Sequence, residues 1–179
     1  MTAAITIYLV RHGEANSPWS EAKNAGLSET GRRQADRVAE EFASLRPLHM
    51  ISSPMRRARE TAQPLGRLWA APALIDERFR EVPLSSHSAE RKAWLKEVTH
   101  MRWREVDDVI TQWRDTAWEA MLAFERSTVV FTHFMLINAM VSRATGDERL
   151  VCLEPDYASV TRLRVKPGTE CFFLESDKR

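Results

Sequence analysis

Two histidines stand where apolar runs end. Ile5, Ile7, Leu9 and Val10 lead into Arg11-His12-Gly13-Glu14, and Thr128 to Thr132 lead into His133. If both runs are strands, each fixes an imidazole at its carboxyl end, where α/β folds place their ligands. A neutral imidazole can act as a nucleophile once a partner holds one ring nitrogen protonated. Between the two lie Ser53-Pro54-Met55-Arg56-Arg57, a helix start with arginines in its first turn, and Glu77-Arg78-Phe79-Arg80-Glu81. Guanidinium forks beside a helix N-terminus suit an anion. A carboxyl whose surroundings raise its pKa can give and retrieve a proton near neutral pH. These residue types point to an enzyme.

The elements that must position them alternate in a βα order, which suggests a largely parallel sheet covered by helices. After the first strand, residues 14–26 are polar and contain Asn16, Ser17, Pro18, Asn24 and Gly26, a loop over the end of the sheet. Ser28 caps a helix whose Ala35, Val38, Ala39, Phe42 and Leu45 share a face. His49 to Ile51 form a second strand, and the hydroxyl of Ser53 with Pro54 at the first helical position opens a second helix. Ala58, Thr61, Ala62, Leu65, Leu68 and Trp69 continue its stripe, and Pro64 is expected to kink or divide it. Ala73 to Ile75 make a third strand. From about Leu84 to Arg126 the pattern is helical, with Trp94, Leu95, Val98 and Met101 on one face and Val106, Val109, Ile110, Trp113, Ala117, Ala120, Met121 and Phe124 on another. This insert is read as a cap over the site. Thr128 to Thr132 read as a buried strand and Met135 to Ala144 as a helix, with strands near Val160 to Val165 and Glu170 to Leu174.

Composition narrows the class. With 179 residues, 44% of them hydrophobic and 28% charged, the chain suffices for one domain, residues 1–179. A net charge of +1 creates no global basic field, so nucleic acid is not implied. The apolar start lacks a basic leader and is too short to span a membrane. Cys152 and Cys171 have no zinc-like spacing and read as reduced thiols of a cytoplasmic protein. No phosphate-cradling glycine loop or His-Glu-x-x-His pair occurs, and His49, His87 and His100 are not spaced as ligands, so neither metal nor cofactor is called for. Trp94, Trp103, Trp113 and Trp118 are assigned to packing within the insert, ahead of a substrate wall or base stacking. Arg91, Lys92, Lys96, Arg102 and Arg104 are assigned to water. An exposed apolar stripe on the insert could serve a homodimer.

Four segments in this order, Tyr8-Leu9-Val10-Arg11-His12-Gly13-Glu14-Ala15, Leu27-Ser28-Glu29-Thr30-Gly31-Arg32-Arg33-Gln34-Ala35, Ser52-Ser53-Pro54-Met55-Arg56-Arg57-Ala58-Arg59-Glu60-Thr61-Ala62 and Phe131-Thr132-His133, resemble the histidine phosphatase superfamily. The resemblance is to branch 1, the phosphoglycerate mutase-like group, and runs from Tyr8 to about Leu163. It implies a three-layer α/β sandwich with a mainly parallel central sheet. It also implies metal-independent hydrolysis of a small phosphorylated metabolite, with His12 as the nucleophile that is transiently phosphorylated. Arg11 and Arg57 match the phosphate ligands, and His133 matches the second histidine, which contacts the phosphoryl group. Glu81 aligns with the proton-donating carboxyl and Glu77 is its alternative; Glu14 is a weaker candidate, placed to orient the loop. The family usually has glycine after the second histidine, whereas this chain has Phe134. A phenylalanine disfavours positive φ and adds bulk, so either the backbone is ordinary there or the pocket is reshaped. Phe134 is the hint toward a noncatalytic phosphate-binding or interaction protein. The insert argues against a phosphohistidine-protein phosphatase. Chain length and the Asn16-Ser17-Pro18-Trp19 stretch argue against a mutase.

Overall fold

The Thr-Val-Val-Phe-Thr run of β4 (Thr128–Thr132) is buried throughout, as a strand covered on both faces must be. In this computed structural model, which describes residues 4–18, 21, 22, 24–84, 88–166 and 170–176, that strand lies inside a six-stranded sheet. The other strands are β1 (Ile5–Arg11), β2 (His49–Ser52), β3 (Leu74–Ile75), β5 (Val160–Lys166) and β6 (Glu170–Ser176), in the order β3-β2-β4-β1-β5-β6. β3, β2, β4 and β1 are mutually parallel, while β5 runs antiparallel to β1 and to β6.

Alternation along the strands sorts side chains into two layers of core. On one face Val10, Met50, Val129 and Phe131 pack against Val38 and Phe42 of α1 (Glu29–Phe42) and Ala58 and Leu65 of α2 (Arg56–Leu68). On the other face Ile7, Leu9 and Val130 meet Ala117 and Met121 of α4 (Asp108–Leu122) and Leu136 and Met140 of α5 (Phe134–Thr145). The result is the expected mainly parallel, three-layer α/β arrangement. A third cluster, Val82, Val98, Ile110, Met135 and Leu150, joins the segment after β3 to the start of α5.

Several local expectations need correction. Leu45 lies beyond the end of α1 and is exposed. α2 starts at Arg56 with Met55 as its N-cap residue, so Pro54 is outside the helix and Ser53 does not cap it. Pro64 sits inside an unbroken α2, where buried Ala62 and Leu65 hold the helix despite the missing N–H. The insert is not one continuous helix: α3 (Ser88–Glu97) and α4 flank a short 3-10 turn at Trp103–Glu105. Leu95 and Val109 face solvent, against the assigned stripes. His87, like Trp19 of the early loop, lies outside the described residues.

Candidate active site

Strand order brings distant residues together. Because β4 lies between β2 and β1, the residues that leave those strands at their carboxyl ends are neighbours. Backbone hydrogen bonds extend the ladders past the strands: His12 N–H donates to Thr132 O at 3.0 Å, and Ser53 N–H to Phe131 O at 2.9 Å. His12, Ser53 and His133 therefore stand side by side. The His12 and His133 rings are 5.3 Å apart between centroids, in an edge-to-face arrangement.

The loop behind His12 is held by the start of α1. Ser28 caps that helix by accepting from Gly31 N–H, and its hydroxyl donates to the Glu14 carboxylate. Glu14 N–H donates to Gln34 Oε1 at 2.7 Å. A Cβ on Gly13 would lie 2.6 Å from the Gly31 carbonyl oxygen, and one on Gly31 would overlap the Glu14 carbonyl, so both glycines serve one backbone approach. Glu14 thus orients the loop and is committed to α1. Thr61 of α2 holds the other side, accepting from Gly13 N–H at 3.0 Å and donating to Arg57 O at 2.7 Å.

These contacts fix the His12 tautomer. Nδ1 lies 2.7 Å from Gly13 O, which can only accept, and Nε2 accepts from Arg57 Nε at 3.0 Å. The lone pair of His12 is therefore on Nε2, facing Arg57. Burial holds the imidazole well below its ordinary pKa, and Arg57 pushes in the same direction. Arg57, from the first turn of α2, is itself buried. Desolvation lowers its pKa, countered by Glu81.

His133 is fully buried at the N-terminus of α5. Its Nε2 lies 2.7 Å from Ser53 Oγ, which accepts from Met55 N–H. His133 Nδ1 is buried and without a hydrogen-bond partner among the described residues, and it carries the ring proton in the tautomer in which the Ser53 hydroxyl donates to Nε2. Burial, then Arg57 and His12, keep this ring neutral too.

Of the two candidate carboxyls only Glu81 reaches the site. Phe79 is fully buried and its carbonyl accepts from Thr132 Oγ1 at 2.9 Å, which anchors the chain beside the end of β4. Two residues later the Glu81 carboxylate accepts from Val82 N–H at 3.1 Å and from Met135 N–H in the first turn of α5. Burial raises its pKa, and Arg57, the two N–H donors and Arg11 oppose that rise. Glu77 points to solvent and pairs with Arg80. Arg11, at the end of β1, sits close enough to feel Glu81 and loses basicity through burial.

Phe134 is the first residue of α5 and has no positive φ, so its backbone is ordinary. The insert braces the site: Trp113 Nε1 donates to Arg80 O at 3.1 Å, next to Glu81. Trp94, Trp103, Trp113 and Trp118 all pack against the apolar clusters, as assigned. The charge run is less uniform, because Arg91 is only 2% exposed while Lys92, Arg102 and Arg104 make surface ion pairs. The weakly amphipathic α3 gives no periodic signal of that inward turn. A cavity of about 310 Å³ opens beside Glu81, lined by Met55, Arg80, Val82, Leu84 and Trp113, with the Arg80-paired Glu77 also on its wall. A larger one, about 460 Å³, lies on the flank of α2 among Gly66, Ala71 and Pro72, and neither histidine lines it. Among the described residues no group of three His, Cys, Asp or Glu side chains could hold a metal ion, and no helix is long and apolar enough to cross a membrane. Cys152 is free, and burial pushes its thiol up to about 11, which makes it a poor nucleophile.

Sequence reasoning missed the role of Ser53, which it treated as a helix cap, and passed over Thr61 and Tyr157. Ser53 and Thr61 lie inside a quoted motif, so their presence was visible and their partners were not. Tyr157 carried no signal.

Comparison with known proteins identifies relatives of the chain. A glucosyl-3-phosphoglycerate phosphatase from Mycolicibacterium vanbaalenii is 32% identical over 161 residues, 82% of this chain and 67% of that protein. A probable phosphoglycerate mutase from Photorhabdus laumondii is 32% identical over 108 residues, 52% of this chain. The chain spans about half, 49%, of that relative's length. Among solved structures, a mycobacterial glucosyl-3-phosphoglycerate phosphatase in complex with VO3 superposes with a TM-score of 0.67 at 26% identity, covering 89% of this chain and 92% of its own. The sequence profile of the histidine phosphatase superfamily, branch 1, matches residues 7–175. With the paired strand-end histidines and the arginine between α2 and His12 in view, this chain belongs to that superfamily.

Proposed function

We propose that the protein is a phosphomonoesterase that hydrolyses a small phosphorylated metabolite through a phosphohistidine intermediate. The observation that carries this reading is the convergence of a neutral His12 with its Nε2 lone pair toward Arg57, a neutral His133 with an unpartnered Nδ1, and a carboxyl of raised pKa. In the first step His12 Nε2 forms a bond to phosphorus while the ester P–O bond breaks, and protonated Glu81 gives its proton to the departing alkoxide. Arg57 exchanges its contact with Nε2 for a phosphoryl oxygen. Arg11 and His133 Nδ1–H take others, so charge is balanced where it develops. In the second step the Glu81 carboxylate accepts a proton from water, which attacks phosphorus; the N–P bond breaks, phosphate leaves and neutral His12 is restored.

The cavity beside Glu81 is the place for the alcohol half of the ester, since the leaving oxygen must lie next to the acid. Residues 1–179 act as one domain in this reading, with the segment 84–126 as a cap whose packing behind Glu81 restricts entry to small esters. The same packing weighs against a phosphoprotein substrate. A noncatalytic role drew on Phe134, and the ordinary backbone there removes that support.

The test is release of inorganic phosphate from a panel of small phosphomonoesters in the presence of EDTA, with native protein and His12→Ala. Turnover that survives EDTA and disappears in the variant is expected. A folded native protein with no turnover across the panel would defeat the hydrolase reading, and loss on chelation alone would defeat metal independence.

A further inference from the structure

Arg11 is built into its position in a way that the proposed reaction does not by itself explain. Its Cζ lies 4.0 Å from the ring centroid of Tyr157 and 5.1 Å from that of Phe134. Arg11 Nη1 donates to Pro155 O at 2.8 Å. Its Nε is buried with no hydrogen-bond partner among the described residues. The guanidinium is thus gripped by one carbonyl and two aromatic rings, with an N–H held dry.

The turn that presents Tyr157 is tied to the same strand end. Arg11 N–H donates to Ser159 O at 3.1 Å and Ala158 N–H to His12 O at 3.3 Å. Ala158 is fully buried with φ 59°, a left-handed backbone that an alanine adopts only when its surroundings impose it. Tyr157 itself is 38% exposed, and its ring lies 5.9 Å from that of His12. An exposed aromatic on a turn with left-handed backbone, its ring against a half-buried guanidinium, is a costly arrangement for packing alone. A long arginine side chain loses much rotamer freedom when it must meet an anion in one geometry, and stacking between rings removes that freedom in advance.

We propose that Tyr157 and Phe134 form an aromatic clamp that positions Arg11 for a phosphoryl oxygen. The inference rests on the phosphatase reading for the identity of the anion. Phe134, where the usual glycine is missing, then supplies one wall of the clamp. Both are positioning residues, acting through Arg11.

The experiment compares native protein with Tyr157→Leu, Tyr157→Phe and Phe134→Leu, and crosses Tyr157→Leu with Arg11→Lys. Three readouts are taken: kcat and KM on a small phosphomonoester, inorganic phosphate affinity by calorimetry, and the NMR signal of the Arg11 Nε–H without ligand. Tyr157→Leu is expected to weaken phosphate binding and kcat/KM by about tenfold and to broaden or average the Arg11 signal. Tyr157→Phe, which keeps the ring, is expected to retain most of each, and Phe134→Leu to fall between. In the Arg11→Lys background Tyr157→Leu should add less than about twofold. An Arg11 signal already averaged in the native protein, or full additivity in the double variant, would overturn the clamp. Native protein with a fixed Arg11 signal but neither turnover nor phosphate binding would overturn the phosphatase reading and leave the clamp standing. If Tyr157→Leu does not fold, Phe134→Leu and Tyr157→Phe decide, since the clamp requires the first to lose phosphate affinity and the second to keep it.

Discussion

The strand-end site and the helical insert are built on different principles. At the site, three placements rest on backbone: His12 and Ser53 by ladder bonds beyond the strands, Arg57 by the first turn of α2, the His12 loop by two glycines in contact. In the insert, apolar packing carries more of the placement, Val98 and Ile110 against Val82 and Met135, with Trp113 Nε1 donating to the Arg80 carbonyl. Backbone geometry is rigid and tolerates few residue types, whereas apolar packing tolerates many of similar volume. On the proposed function, chemistry falls to the first region and choice of substrate to the second.

Arg57→Ala should give the largest effect among substitutions that leave the nucleophile in place. It removes a phosphate ligand and the donor to His12 Nε2 together, and kcat should fall by about 10³-fold or more. Steady-state kinetics of the folded variant checks this, and a change confined to KM would contradict the assignment. Next, Glu81→Gln should lower kcat/KM by about 10²-fold or more for esters with poor leaving groups. It should do less for an activated aryl ester, which needs no proton. The carboxyl is raised from its ordinary value of 4.5 by burial. The proton-donating form is therefore lost as pH rises through the folded value, and the alkaline limb of the kcat/KM profile should disappear in the variant.

Trp113→Ala sharpens the comparison from the other side. It opens the cavity beside Glu81, so KM should change by about tenfold and differently for different esters, with a smaller effect on kcat. If kcat falls as far as in Arg57→Ala, the division between chemistry and selection is wrong. The smallest effect is on stability. Both His12 and His133 have pKa values below the ordinary 6.5 because they are buried. Above that value neither state binds the proton. As pH falls below it, the unfolded chain takes protons that the folded chain refuses, and stability declines until the folded values are reached. Thermal unfolding between about pH 7.5 and pH 5.5 should show Tm dropping by several degrees, and less in His133→Asn.

The difference between the regions also explains what could be read from the chain. The His12, Arg57 and His133 placements were legible because each follows from a local pattern, a strand end or a helix start, and strand order does the rest. The family resemblance favoured Glu81 over Glu77, and the physical reason appears only in three dimensions, where buried Phe79 turns one carboxyl inward and leaves the other exposed beside Arg80. Ser53 misled because Ser-Pro is a genuine helix-start signal. Its hydroxyl found a stronger competitor in His133 Nε2, whose sequence distance hid it. Leu95 and Val109 carry the apolar period of the insert yet face solvent, since periodicity alone does not say which side of a helix meets a neighbour. Arg91, counted with a solvated face, folds inward for the same reason.

The contact between Gly13 and Gly31 has a consequence for how this site could change or be transplanted. Neither position can gain even a methyl group without displacing the loop that carries Glu14, and no single replacement elsewhere makes room, because the obstruction is main chain in both directions. The two residues form one heritable unit although 17 residues separate them. A designer who grafts the Arg11-His12-Gly13 strand end onto another parallel sheet must bring the opening turn of α1 with it. Without that turn the imidazole would have a strand behind it and nothing to set its loop.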